Sequence, residues 1–598
     1  MLRSKPKTIK IDGLLSIEKI KILTMKIKFL IINCLLLLSA FGFAQERSKD
    51  TIDNQVVNVV KPYTPTVSDA FKIKDTPRLA DSSIIKKKDV KYNIFSIPVA
   101  STFTPAKGKA ATVEKAKPMK LYDNYASLGF GSYTTVLGEV YLNHELSNTE
   151  NVGGYFSHRS SQGGIDNLLL DDDFSNTGIN AYYSQKLRDL SWKVDAGFNL
   201  QAYNWYGLPQ NFFGPTEANT IDPGHSFNEF YVGGDLSFDD YFIEGGNVLF
   251  RRFADNQGSA ENRFVLKTAF DIPISDELIN TKVYLDYIGG SFDMAYDSNI
   301  GIDYGNVTFG LAPTYQLKQD DLTVDLGIEL VYLNDTEFDD NKFFIYPNIE
   351  ATYRLVSDVV IAYGGIKGGL IQNSYHDLAN QNPFVSPTLF IAPTNQQYNG
   401  FLGLKGKLSN NVSYNIKGNY FAEENKVLFR ANEAQTFATR DYQFGNSFGV
   451  VYDDVTTLSI EGELNFDVNR NVSLGIKGAY FNYTVDNEAE AWNLPDITGS
   501  IFADAQLSEQ WYAGATAFFV GERKDREQLV GTLVPSPSNI ITLDSYLDVN
   551  MHLGYRINDQ FSVFAKGNNL LNQDYQRYLN FPVQGIQVLA GATYQFDF

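Results

Sequence analysis

The chain has 598 residues, 70 acidic against 50 basic side chains and a formal net charge of −20. Tyr, Phe and Gly are abundant at 36, 43 and 47, while cysteine occurs once. Such an acidic chain is excluded as a general nucleic-acid binder, one cysteine excludes a disulfide framework, and the aromatic enrichment points to strands.

Residues 1–24 precede the stretch "MKIKFLIINCLLLLSAFGFAQ", which starts at Met25. Lys26 and Lys28 form a basic head, Phe29 to Leu38 an apolar core, and Gly42, Phe43 and Ala44 a small-residue flank. That order reads as a secretory signal peptide over 25–44, with 1–24 an extension from a mis-assigned start codon. A signal anchor is the competing reading, but a spanning helix needs about 20 apolar residues. Cys34 leaves with the signal, so the exported chain has no thiol and no Cys-based metal site.

Residues 45–120 carry a net charge of +7, against −33 for residues 121–598. The segment holds Pro62, Pro65 and Pro77 and no sustained periodicity. It reads as an extended, basic periplasmic segment at or inside the mouth of the acidic region 121–598. An acidic lumen behind it would favour cations and repel anions.

From about Leu121 the pattern changes. In "SIEGELNFDV" (459–468), Ile460, Gly462, Leu464, Phe466 and Val468 share one face, and Ser459, Glu461, Glu463, Asn465 and Asp467 the other. "TVDLGIELVY" (323–332), "SYNIKGNY" (413–420) and "VSLGIKGAYF" (472–481) alternate in the same way. Strict alternation means strands with one apolar and one polar face. The length of these runs suits bilayer crossing, which takes about 9–11 residues per strand.

Tight polar turns fall near Asn148, Asp189, Asp239, Ser275, Gln319, Ser357, Asn410, Asn469, Ser508 and Asp559. Between them lie long irregular stretches such as "NWYGLPQNFFGPTEANTIDPGHS" and "GERKDREQLVGTLVPSPSN". Short periplasmic turns opposite long extracellular loops are the outer-membrane pattern. With a first strand near Tyr122–Gly131 and a last near Val588–Phe598, the spacing predicts an all-β, antiparallel transmembrane barrel over 121–598 of about 22 strands. Closure requires the two terminal strands to pair. Tyr594, Phe596 and Phe598 then face lipid, and Gly591 leaves room at the seam.

The segment "FSVFAKGNNLLNQDYQRYLNFPVQGIQVLAGATYQFDF" resembles the C-terminal end of TonB-dependent outer-membrane receptor barrels. Asn569, Leu570, Leu571, Asp574 and Tyr575 carry the resemblance, together with the terminal aromatic pattern. It implies a receptor-like transport barrel in a Gram-negative outer membrane, and a last strand (Gly591, Tyr594, Phe596, Phe598) read by the barrel assembly machinery. "QVVNVVKPY" (55–63) is similar to the short TonB-contacting segment of such receptors. Only about 75 residues separate the signal from the first strand, so the resemblance is to a receptor barrel without the ordinary globular plug.

The histidines His144, His158, His225, His376 and His552 lack metal-ligand spacing, and no catalytic fingerprint occurs. No enzyme activity, cofactor or metal is expected. The acidic runs Asp171–Asp173, Asp339–Asp340 and Asp453–Asp454 read as solvated loops rather than calcium sites. Asp325, Glu329, Lys417, Glu461, Glu463, Asp467 and Lys477 should line the lumen. Tyr182, Tyr183, Trp205, Tyr206, Phe250, Phe253, Tyr575 and Tyr578 are expected in the interfacial aromatic girdles. The function expected is passage of a polar solute across the outer membrane. The alternative is a structural barrel subunit of an envelope complex. The expected partners are outer-membrane lipid, the assembly machinery and a periplasmic or envelope protein bound through residues 45–120, with no nucleic acid.

Overall fold

The computed structural model describes residues 120–239, 242–275, 277–532 and 537–598. The expected signal peptide, the basic segment up to residue 119 and "QVVNVVKPY" lie outside the described residues. No described helix is long and apolar enough to cross a membrane. Crossing falls to strands.

Alternation is converted directly into a sheet with inverted polarity. Leu458 and Ile460 are 51% and 57% exposed, while Ser459 between them is fully buried. The same inversion puts Leu326 and Ile328 outside and Val331 inside. In water, continuous exposed apolar surface on this scale is unfavourable. Around a closed barrel it is the lipid-facing belt of an outer-membrane protein.

Twenty-two antiparallel strands form one sheet. It runs from Asn124–Gly131 to Gln587–Phe596, and these two strands pair with each other from Asn124↔Phe596 to Gly131↔Leu589. All ten tight turns read from sequence join successive strands at one end. At the other end the connections reach from residue 521 to 545, although those at 132–135, 256–259 and 336–339 are short. Long loops are therefore concentrated on part of the outer rim.

Inward aromatics explain why glycine and tyrosine are abundant together. The Tyr284 ring lies across Gly310 on the neighbouring strand, where a Cβ would meet the ring at 2.0 Å. At the seam Gly591 opposes Gly129, and a Cβ there would come within 2.4 Å of the Leu128 carbonyl oxygen. A side chain at either position would force the strands apart.

The ladder stops at Phe596, not at the last residue. Asp597 instead ties the end down, pairing with Lys120 at 2.9 Å and accepting the Asp123 amide at 3.0 Å. Phe598 is 78% exposed and meets the edge of the His144 ring at 6.3 Å. The expectation of a ladder complete to Phe598 is corrected by two residues: the first strand begins at Asn124, which leaves nothing for residues 597–598 to pair with.

Candidate gate and lumen wall

The largest apolar core of the described residues lies inside the outer mouth, not in the barrel wall. It joins lumen-facing wall residues, Phe227, Phe253, Ile288, Phe292 and Tyr304, to residues of the loops. A seven-residue helix, α1 (Tyr375–Gln381), belongs to the loop between strands Val360–Ile371 and Thr394–Ser409. Ser374 starts the helix, its Oγ accepting the Asp377 amide at 3.0 Å, as an N-cap serine does. Leu378 and Ala379 then enter the core. Tyr375 meets Phe253 and Phe292 edge to face at 5.1 and 4.9 Å.

Polar contacts fix this helix to three consecutive wall strands, and two further strands brace those contacts. Glu261, 1% exposed, accepts the Tyr375 amide at 2.5 Å and the Tyr304 hydroxyl at 2.8 Å. The Tyr375 hydroxyl donates to Asp255 at 2.7 Å. Arg263 forks onto both oxygens of Asp286, at 3.0 and 2.7 Å, and reaches Asp377 at 3.2 Å. Arg251 lies 3.7 Å from the other Asp377 oxygen. His376 stands between Asp377 at 2.8 Å and Glu229 at 3.2 Å. Planar arginine forks fix direction as well as charge, so the helix is held in one orientation.

These charges set the protonation of the helix residues. Burial alone would lower the His376 pKa, but hydrogen bonds to Asp377 and Glu229 outweigh it and hold the imidazole above its usual value. Burial likewise opposes ionisation of Asp377, yet His376, Ser374 and Arg251 keep its carboxyl well below the usual range.

Other loops close over the helix. Tyr578 donates to the Gln381 carbonyl at 2.9 Å, and Tyr206 to Pro582 at 2.9 Å. Phe384 and Phe581 stack at 4.0 Å, and Asn446 donates to the Trp205 carbonyl at 3.0 Å. Asp525, wholly buried, joins three loops by accepting the Ala431 and Arg526 amides and the Asn493 side-chain amide. Burial pushes its carboxyl up to about 6 despite those donors. The outcome is a cross-linked cap on the outer mouth.

This placement corrects the girdle expectation. Trp205, Phe253, Tyr206 and Tyr578 belong to the cap, Tyr575 stacks on Tyr546 at 3.8 Å and donates to Asp548, and Tyr182 hydrogen-bonds Asn143 and Tyr141 on the lumen side. Phe250 is 40% exposed on the apolar face, and Tyr183 shares that outward parity. Aromatic residues at strand ends serve two opposite faces, and linear spacing alone does not separate them. Asp453 is also corrected: it is buried and accepts the Asn487 and Glu488 amides at 3.0 and 2.7 Å. It anchors a loop and is not solvated. Asp173 does similar work, accepting Asn204 at 2.7 Å. No group of three or more His, Cys, Asp or Glu suited to a metal occurs among the described residues.

The seven expected lumen residues all share the parity opposite the exposed apolar side chains. Glu329 accepts the Tyr284 hydroxyl at 2.7 Å, and Asp325 the Gln316 amide at 2.8 Å. Glu463 pairs with Lys477 at 3.4 Å, Glu461 accepts Asn419 at 2.8 Å, and Lys417 lies over Phe401 at 4.7 Å. Asp467 sits at the periplasmic rim, exposed. They form no single site. The latch residues Glu229, Arg251, Glu261, Arg263 and Asp286 escaped sequence reading. Only their charge on inward positions of adjacent strands could have flagged them.

The Asn-Leu-Leu motif now has a physical reading. Asn569 adopts a φ of 47°, and its side chain accepts the Gln573 amide while donating to the Gln573 and Gln584 carbonyls, all at 3.0 Å. Leu570 covers Gly567. The motif folds the last loop back into the mouth.

Solved structures share this architecture. The ferric-catecholate import receptor Fiu of E. coli K12 matches with a TM-score of 0.57 at 12% identity, over 79% of this chain and 82% of that one. The Neisseria meningitidis iron transporter FrpB, F5-1 variant, gives 0.60 at 9% identity over 79% and 82%. The chain shares the barrel fold of these outer-membrane proteins. The Pseudomonas aeruginosa ferripyoverdine receptor gives 0.57 at 13% identity over 81% and 73%. No family model and no curated protein matches the sequence. At these identities the shared property is the fold, a closed 22-strand barrel of the outer membrane.

Proposed function

We propose that this receptor-type barrel passes a polar solute across the outer membrane and that its outer mouth is gated by α1 and the loops around it. The carrying observation is the ionic attachment of α1 to wall strands. Charged forks between a loop and a wall can part as a unit, whereas a wall strand cannot leave its ladder. The neighbours described as import receptors and transporters agree with this reading. Planar-bilayer recording tests it. The wild-type barrel should be closed at rest, and Arg263→Ala should produce discrete conductance. A barrel that stays shut in every latch variant would overturn it.

One observation favours the second reading, a structural subunit of an envelope complex. The cap core is closely packed, with Val385 and Phe581 wholly buried, as suits a permanently closed barrel. Residues 45–120 would be the attachment point for its periplasmic or envelope partner. Crosslinking from that segment in intact cells separates the readings, since a transporter needs no stoichiometric neighbour. The last strand is proposed as the signal for the barrel assembly machinery. Removing Phe598 should lower the yield of inserted barrel more than any loop substitution, scored by heat-modifiable migration on gels.

A further inference from the structure

Most described cations near the outer mouth have carboxylate partners. Arg263 pairs with Asp286, Arg430 with Glu488, Lys524 with Glu490 and Arg526 with Glu433. Four others do not. Arg159, Arg523, Lys566 and Arg577 form no ion pair among the described residues, and their cationic groups lie instead over Phe174, Tyr546, Phe564 and Tyr578 at 5.3 to 5.9 Å.

These four converge from different elements. Arg523 is 6% exposed, and its guanidinium is held by the main-chain carbonyls of Arg577 and Gln576. Its Nε is buried without a partner. Gln584 of the last loop donates to Ser161, two residues from Arg159, and Gln587 donates to Gln584 while accepting from Asn568, two residues from Lys566. Arg159 and Arg577 remain exposed and so are free to take a ligand. Nearby carboxylates do not neutralise the group. Asp548 accepts the Tyr575 hydroxyl, Asp172 accepts main-chain amides, and Glu139 attracts Lys566 without forming an ion pair with it and touches none of the three arginines.

A buried guanidinium without a counter-charge costs several kcal/mol, and its like-charged neighbours add repulsion. In a barrel carrying an excess of acidic side chains, leaving four cations unpaired together needs a cause. We propose that Arg159, Arg523, Lys566 and Arg577 form an anion-binding site under the outer cap, for a soluble solute bearing clustered carboxylate or phosphate groups. Its use in uptake rests on the transport reading, whereas the binding itself does not. Two arginines offer planar forks that match either oxyanion, and the surrounding loops leave a soluble solute, not a lipid, as the occupant.

Calorimetric titration of the full-length, detergent-solubilised protein with citrate and with pyrophosphate tests the site. Saturable binding of at least one is expected. Arg159→Gln and Arg577→Gln should each weaken it about tenfold, while Lys477→Gln leaves it unchanged. Heat-modifiable migration verifies that each variant is folded. Arg263→Ala supplies an opened background in case the cap blocks entry. No saturable binding in either background, or equal affinity in wild type and site variants, overturns the proposal. Binding of bis-phosphorylated lipid A but of neither soluble anion overturns the soluble occupant. Anion binding in a barrel that never conducts would keep the site and discard the transport reading.

Discussion

The lumen wall near the outer mouth has two halves that treat charge in opposite ways. On strands spanning 224–319, acidic and basic side chains are paired and committed to α1. On the half formed by the strand Glu150–Ser161, the strand Phe561–Asn568 and the loops at 521–545 and 569–586, Arg159, Arg523, Lys566 and Arg577 stay without an ion pair, although Lys524 and Arg526 of the same loops are paired. Pairing fixes structure because each partner neutralises the cost of burying the other. Leaving charges unpaired maintains an unmet demand for a counter-ion. The first half is built to hold part of the chain, and the second to hold something that is not.

The strongest way to break the paired half is Arg263→Ala. It leaves Asp286, 11% exposed, without its fork, and removing one partner of a buried pair costs about 3–5 kcal/mol. The expected outcome is release of α1, read as open-channel events in planar bilayers, with wild-type behaviour partly kept by Arg263→Lys. Next comes Phe581→Ala. Truncating a wholly buried phenylalanine costs about 3–5 kcal/mol of local packing. Faster amide exchange in residues 372–393 and 569–586 should follow, with the wall strands unchanged.

A smaller effect is expected from pH. His376 has a pKa raised above its unbound value by Asp377 and Glu229, with Arg251, Arg263 and Glu261 the other charges facing it. Its contribution to the latch is complete below the unfolded pKa of about 6.5 and fades as pH rises through the higher folded value. Asp377, held down, keeps its contribution until strongly acid pH. Open probability should therefore rise as pH increases above about 6.5. His376→Gln should flatten that rise, and a slope unchanged in the variant would remove histidine from the latch. The smallest effect is expected from Lys477→Gln. Its pair with Glu463 is 43% exposed on the lysine side, and such pairs contribute about 0–1 kcal/mol. Thermal stability and conductance should both stay at wild-type values.

Much of the wall was legible in the linear chain because strand periodicity is local. Ile460 and Glu461 are assigned to opposite faces by their neighbours alone, and turns such as that at Asn469 follow from short polar breaks. The cap was not legible. Trp205 and Phe253 sit at strand ends as girdle residues would, yet they turn inward. Their direction depends on a helix more than a hundred residues away in sequence. Arg159 and Arg577 are likewise ordinary charged residues until the closed barrel brings strand and loop together.

By itself, then, the sequence determined compartment, strand number, turn positions and which face meets lipid, because each depends on a pattern that repeats within about ten residues. Tertiary structure alone decided which loops fill the mouth, which charges neutralise one another and which are left over. Those outcomes depend on closure of the sheet between Gly129 and Gly591. Only then do wall and loop residues share one space, and only there can a charge be paired or left waiting.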